Sequence, residues 1–360
     1  MDNKGVDDKR NNFIDMLRFV FAILIALFHI VGAYPLVISE KINLFVQGAI
    51  GVEFFSIVSG FLMAKSAWRR IKEPTDTLGK ETVYYVGKKY IRIFPYHFWA
   101  FMISLILYLL WDSLSLFDGI RVIFFSFSDL FMLNMTGLFS LGLNVPAWYL
   151  SSMFISLLIL YPIIRGKYDL FVHVFAPLFV LFSIGWMSHT TECMRGITAW
   201  YGIMYKGTIR VAIGIALGSI CFEICQAIQS KEFSIKLKRV LSVIEVGGYV
   251  LTILYSCLDL SEQGYFIMLF VIATSVTLTF SRITITKKFG KDIKGLEKLS
   301  LSIFLNQTYC AKIINYIVSR YNIIIDNIGI VIIYLLFTIA SSILCVMVVD
   351  TVKRKYMKIC

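Results

Sequence analysis

Apolar runs of roughly twenty residues, separated by short polar or basic segments, recur along nearly the whole chain. A helix of that length, at about 1.5 Å per residue, crosses the ~30 Å hydrocarbon core of a bilayer. The pattern predicts about ten transmembrane helices, at 13–33, 46–66, 92–111, 147–165, 169–187, 208–226, 239–258, 264–281, 299–319 and 328–350. The stretch 120–138 is apolar too, but Ser126, Ser128, Asp129 and Asn134 interrupt it. It fits a re-entrant or surface helix as well as an extra span. The expected fold is all-α, a polytopic membrane helix bundle in a single domain. Residues 1–12 and 351–360 would be tails, and 13–350 the bundle. No internal repeat of the kind that marks many transporters is visible.

Composition strengthens this reading. Of 360 residues, 58% are hydrophobic and only 16% charged, against about one quarter charged in soluble domains. The net charge of +12 has a topological origin. Lys and Arg gather in the N-terminal tail and in alternate loops. The opposite side holds only Lys41, Arg121, Arg195, Lys206, Arg210, Lys312 and Arg320. The positive-inside rule then places both termini in the cytoplasm, in keeping with an even number of spans. The lipid bilayer is the expected partner, and no nucleic acid. The seven cysteines lack CxxC spacing, so neither a disulfide framework nor a metal site is expected.

Charged residues inside spans are costly and usually face a protein interior or a water-filled path. In the first span Arg18 and His29 are eleven residues apart, about three helical turns, so they share a face some 16 Å long. Snorkelling for Arg18 and an interfacial place for His29 would account for each residue separately. In the second span Glu53, Ser56, Gly60 and Ala64 form a polar, small-residue stripe. The two spans are antiparallel, and Glu53 falls roughly 4–5 Å from the depth of His29. A His29–Glu53 hydrogen bond would orient the imidazole and raise its basicity, as in a general-base pair. The alternative is a structural glutamate paired elsewhere. Lys89 and Arg92 share a helical face at the entrance to the third span, where Pro95 restricts the entering turn. They suit phosphates such as those of coenzyme A, or simple anchoring on anionic lipid. On the outer side Trp148 lies in the segment NVPAWYLSSMF, and span nine places Asn306, Gln307 and Tyr309 within the membrane. His97 reads as structural.

Together these residues resemble the integral-membrane acyltransferase family 3, and the likeness covers essentially the whole chain. It rests on Arg18 and His29 within IDMLRFVFAILIALFHI, and on Gly51, Val52, Glu53, Phe55, Ser59, Gly60 and Phe61 in the second span. Lys89, Arg92 and Pro95 complete it, with Lys89 where the family usually carries arginine and Gln307 where the late motif often has histidine. The resemblance implies a bacterial inner-membrane O-acyltransferase of the acyl-CoA-dependent kind. It would carry an acyl group, acetyl above all, from cytoplasmic acetyl-CoA to a hydroxyl of a cell-surface glycan or lipid-linked sugar. His29 and Glu53 would be catalytic, Arg18, Lys89 and Arg92 would hold the donor, and Trp148, Asn306 and Gln307 would contact the acceptor. No metal is implied. A sugar transporter or flippase, with the polar face as its conduit, is the alternative from another class.

Overall fold

The computed structural model describes residues 11–39, 42–111, 114–190, 196–258, 263–289, 293 and 295–356. Among the basic residues, Lys4, Lys9, Arg10, Lys41, Arg195, Lys291, Lys294 and Lys358 lie outside the described residues.

Helix α1 (Asn12–Val31) starts where the Asn11 side chain accepts from the backbone amides of Phe13 and Ile14, at 3.2 and 3.3 Å. This satisfies two of the orphan donors at a helix start. Helices α2 (Gly51–Lys72), α3 (Leu78–Trp111), α4 (Leu116–Phe125), α5 (Phe127–Leu130) and α6 (Ala147–Gly166) follow. Next come α7 (Tyr168–Thr190), α8 (Lys206–Gln229), α9 (Ile235–Ser256), α10 (Gln263–Ser281), α11 (Leu296–Tyr321) and α12 (Asn327–Tyr356). The strands are two short hairpins, β1 (Val37–Ser39) with β2 (Ile42–Asn43), and β3 (Trp200–Tyr201) with β4 (Met204–Tyr205). The protein is an all-α, multi-pass membrane bundle.

Among the described residues eight segments are long and apolar enough to cross a bilayer, where the sequence pattern predicts about ten. The two that fall short, α9 and α11, have 22 and 26 residues and are long enough. Their polarity lowers them: Glu245 in α9, and Asn306, Gln307 and Lys312 in α11. Helix α11 nonetheless packs along α1, α3 and α12, and α9 along α10.

One expectation needs correction, and one open alternative narrows. Helix α3 begins fourteen residues before position 92 and runs through Pro95, so the proline marks no turn. Pro95 leaves the carbonyl of Ile91 without its helical donor, and Ile91 is 72% exposed. The stretch 120–138 is not a further span. It forms the end of α4, of ten residues, α5, of four, and turns beyond them. Buried His97 on α3 holds it, donating from Nε2 to the Asp129 carbonyl at 2.9 Å. The buried Asp129 carboxylate accepts in turn from Ser140 Oγ at 2.6 Å and Leu141 N at 2.8 Å. Burial pushes that carboxyl above its ordinary pKa.

Helix α2 lies at the centre. Its most extensive contact is with α8, and it also touches α1, α6 and α10. Glycine makes the α2–α8 contact possible. A Cβ on Gly218 would stand 2.0 Å from the Ile57 carbonyl oxygen, and one on Gly60 2.0 Å from that of Ile215. Such close backbone approach is how small residues bring membrane helices together. Glu53 faces Arg210, Ser56 faces Gly214, and Ile57 faces Gly218. Numbers rise together on the two helices, so α2 and α8 run parallel.

Candidate active site

The α2–α8 register places Glu53 beside Arg210 in the interior, their side chains 2% and 1% exposed. Arg210 Nε donates to Glu53 Oε1 at 2.5 Å, and Arg210 Nη2 to the Ala49 carbonyl at 3.2 Å. The Tyr265 hydroxyl from α10 donates to the same Glu53 oxygen at 2.7 Å and accepts from Arg210 Nη2. The Trp148 ring covers the guanidinium, 5.6 Å from its centroid, a cation–π contact.

This corrects the expected His29–Glu53 hydrogen bond. Glu53 is committed to Arg210 and Tyr265, and His29 turns back on its own helix. His29 Nδ1 lies 2.9 Å from the Ile25 carbonyl oxygen. A carbonyl only accepts, so Nδ1 carries the proton and Nε2 of the neutral ring keeps its lone pair. The backbone thus does for His29 what a carboxylate was expected to do, and fixes its tautomer.

At the other end of α1, Arg18 joins a cavity of about 230 Å³ enclosed by α1, α2, α3, α6, α11 and α12. One end holds five cations, Arg18, Lys89, Arg92, Lys298 and Lys353, with the single acid Glu297. Four of them already have partners. Arg18 Nη1 binds Asp15 Oδ1 at 2.7 Å, Arg92 pairs with Glu297, and Lys298 Nζ reaches Asp350 at 2.7 Å. Lys353 Nζ lies 5.3 Å from the centroid of the Tyr96 ring. Lys89 differs. Among the described residues no carboxylate pairs with it, and the like charges of Arg18 and Arg92 act on it. An ammonium in that position favours an arriving anion. Lys89 and Arg92 also line an adjoining hollow of about 630 Å³ with Arg70, Lys80, Lys88 and the acids Asp76 and Glu81, Asp76 pairing with Lys80.

The structure therefore brings Arg18, Lys89 and Arg92 together, as one wall of a cationic chamber. His29 is not part of its lining; α1 contributes Arg18 only. Trp148, Asn306 and Gln307 do not line it either. Trp148 is buried over Arg210. Asn306 donates from Nδ2 to Ser302 and Ser342 hydroxyls at 3.1 and 3.3 Å, and Gln307 Nε2 to the Phe304 carbonyl at 2.8 Å. Both amides are fully buried, and among the described residues their side-chain oxygens have no hydrogen-bond partner.

Sequence reasoning passed over Arg210, Tyr265, Lys298 and Lys353. Lys298 and Lys353 count only as inside charges in a topological argument. Arg210 carried a usable signal, since an arginine within the apolar run 208–226 is itself a flag for an interior partner. Tyr265 carried none. Among the described residues no three His, Cys, Asp or Glu side chains gather as a metal site would need.

A family model described as an acyltransferase domain matches residues 11–347. No curated protein and no solved structure matches the chain.

Proposed function

The chain belongs to this acyltransferase family, and from that premise we propose that it transfers a small acyl group, acetyl above all, from cytoplasmic acyl-CoA to a sugar hydroxyl. The acceptor is a cell-surface or lipid-linked glycan, and the enzyme sits in a bacterial inner membrane. The observation that carries the reading is Lys89, a cation without a carboxylate partner among the described residues, between two further cations at the mouth of a chamber that turns apolar inside. A phosphorylated thioester matches both ends. Its phosphates suit Lys89 and Arg92, and the adjoining hollow with Arg70, Lys80 and Lys88 has room for more of them. Its uncharged arm suits the interior. Family membership favours covalent transfer over transport.

In the reaction, the acceptor oxygen attacks the thioester carbonyl, the C–O bond forms and the C–S bond breaks. His29 lies about 16 Å along α1 from Arg18 and outside the chamber lining, so the thioester has to extend beyond the chamber for His29 Nε2 to take the hydroxyl proton and return it to the departing thiolate. The Nδ1 bond to Ile25 holds the ring in the tautomer this needs. Glu53 acts as a positioning residue through Arg210. The unpartnered amide oxygens of Asn306 and Gln307 offer acceptors to sugar hydroxyls, and Trp148 supports the acceptor side from beneath.

Cells lacking the protein, complemented with wild type or His29→Ala and supplied with labelled acetyl-CoA precursors, test the reading. Base-labile acetate on extracted glycan should return with wild type and not with the variant, at equal protein levels. Unchanged acetylation in all strains, with glycan export lost, would instead support transport.

A further inference from the structure

The hollow beside the chamber has a fixed frame. It lies at the basic, cytoplasmic end of the bundle, where residues 73–77 join α2 to α3, and it shares Lys89 and Arg92 with the chamber. Buried Glu81, on the first turn of α3, clamps that loop. Its Oε1 accepts from the Thr75 and Asp76 amides at 2.9 and 3.3 Å, and its Oε2 from Arg165 Nε at 2.8 Å. Glu81 is therefore committed to the frame. Asp76, the other acid of the lining, lies 3.4 Å from Lys80 Nζ and accepts from the Thr77 amide at 2.8 Å. Two cations remain. Among the described residues no carboxylate pairs with Arg70 or Lys88. Tyr84, Tyr85 and Tyr161 complete the surface. Tyr85 and Tyr161 stack on each other at 4.5 Å, whereas the Tyr84 ring is 61% exposed and lies 5.9 Å from Lys88 Nζ. An open aromatic face beside cations that lack carboxylates suits a flat base carrying a phosphate.

We propose that this hollow is a nucleotide subsite, in which Arg70 and Lys88 hold a ribose phosphate and the tyrosines carry the base, so that the enzyme draws its acyl group from a free nucleotide thioester and not from one borne on a carrier protein. The inference rests on the reading of the chamber as an acyl-CoA site. CoA has a phosphate at the ribose 3′ position and a pyrophosphate between the ribose and the uncharged arm. The pyrophosphate meets the shared wall at Lys89 and Arg92, with the nucleotide on one side of it and the arm on the other. A carrier-protein thioester has the same arm and one phosphate, and offers nothing to Arg70, Lys88 or the rings.

Binding to the full chain in nanodiscs of zwitterionic lipid tests this, with CoA, 3′-dephospho-CoA and 4′-phosphopantetheine as probes. Wild type should bind CoA about tenfold or more tighter than 3′-dephospho-CoA, the size of one charge-assisted phosphate contact. It should bind 3′-dephospho-CoA about fivefold or more tighter than 4′-phosphopantetheine, the size of one stacked base. Arg70→Ala combined with Lys88→Ala should bring CoA and 3′-dephospho-CoA to within about twofold of each other. Lys88→Ala alone, at an exposed position, should shrink the same ratio and serves if the double variant does not fold. The proposal is overturned if wild type binds the three probes alike, or if both variants keep the wild-type ratio. It is also overturned if phosphatidylglycerol in the nanodiscs raises the unfolding temperature of wild type but not of the double variant while CoA and 3′-dephospho-CoA bind alike, since the hollow then holds a lipid headgroup. In each of these cases the donor reading stands. If wild type binds none of the three probes, that reading falls and this proposal with it.

Discussion

Removing the Glu53 charge tests whether that residue holds the bundle together or works on His29. Glu53 and Arg210 are almost fully buried and bonded at 2.5 Å. Removing one partner of such a pair costs about 3–5 kcal/mol, because the other charge stays in a low-dielectric interior. Glu53→Gln keeps a side-chain oxygen for Arg210 Nε and the Tyr265 hydroxyl, so the lower end, about 3 kcal/mol, is expected. Arg210→Met, leaving the glutamate, should cost about as much. The double variant removes both charges and retains most of the volume, and exchanging a buried pair for apolar groups is often near neutral. Its loss should therefore fall short of the summed single losses by at least about 2 kcal/mol. Urea unfolding in micelles, followed by tryptophan fluorescence, measures all three. Acyl transfer per folded molecule gives a second readout. If Glu53 acts by positioning, the double variant regains transfer that Glu53→Gln loses. Strict additivity in stability, together with a double variant no more active than Glu53→Gln, would refute the argument.

Other consequences are open to direct measurement. Lys89→Ala should raise the KM for acyl-CoA at least tenfold with little change in kcat, whereas Lys89→Arg should stay within about threefold; steady-state kinetics in proteoliposomes decide it, and one phosphate contact of ~1.5–3 kcal/mol sets the size. Gly218→Val would drive a Cβ into the Ile57 carbonyl, 2.0 Å away, and should destabilise by more than the ~1–3 kcal/mol of ordinary overpacking because backbone must move; unfolding of the purified chain shows it. Trp148→Leu, which removes the ring over Arg210, should cost about 1–2 kcal/mol, and a wild-type unfolding midpoint would contradict the cation–π contact. His29→Gln should fold as wild type and lose acyl transfer, since Gln has no basic nitrogen to match Nε2; retained transfer would remove His29 from the reaction.

The bundle was largely legible before any coordinates, because spanning helices leave long apolar runs that nothing else produces. What hydropathy conceals is where a helix begins outside the membrane, and α3 starts at Leu78 on a mixed stretch, LGKETVYYVGKKYI, too polar to read as a span. It also conceals polar helices packed inside, such as α11. The chamber cations were legible as a pair, Lys89 and Arg92, through spacing within one helix. Their companions Lys298 and Lys353 come from helices more than two hundred residues away, and no local spacing relates them. The error over Glu53 has the same origin. Loop length placed it level with His29, but Gly51 faces Ile25 and Phe54 stacks on Phe21, which puts Glu53 about two turns deeper, and the glycines that seat α2 against α8 turn it toward Arg210. Gly60, Gly214 and Gly218 stood in the sequence with no means of telling which helix they would meet.

The 157-residue separation of Glu53 from Arg210 has a consequence for how the protein is made. At about 5–20 residues per second, synthesis of the intervening chain takes roughly 8–30 s. During that interval α2 has left the ribosome carrying an acidic side chain, and the arginine that answers it does not yet exist. A lone carboxyl in a span is expensive in lipid, so the nascent helix has reason to linger beside the insertion machinery until α8 arrives. Final assembly of the centre is then a late event in biogenesis, and the half-made chain is a substrate for membrane quality control before it is an enzyme.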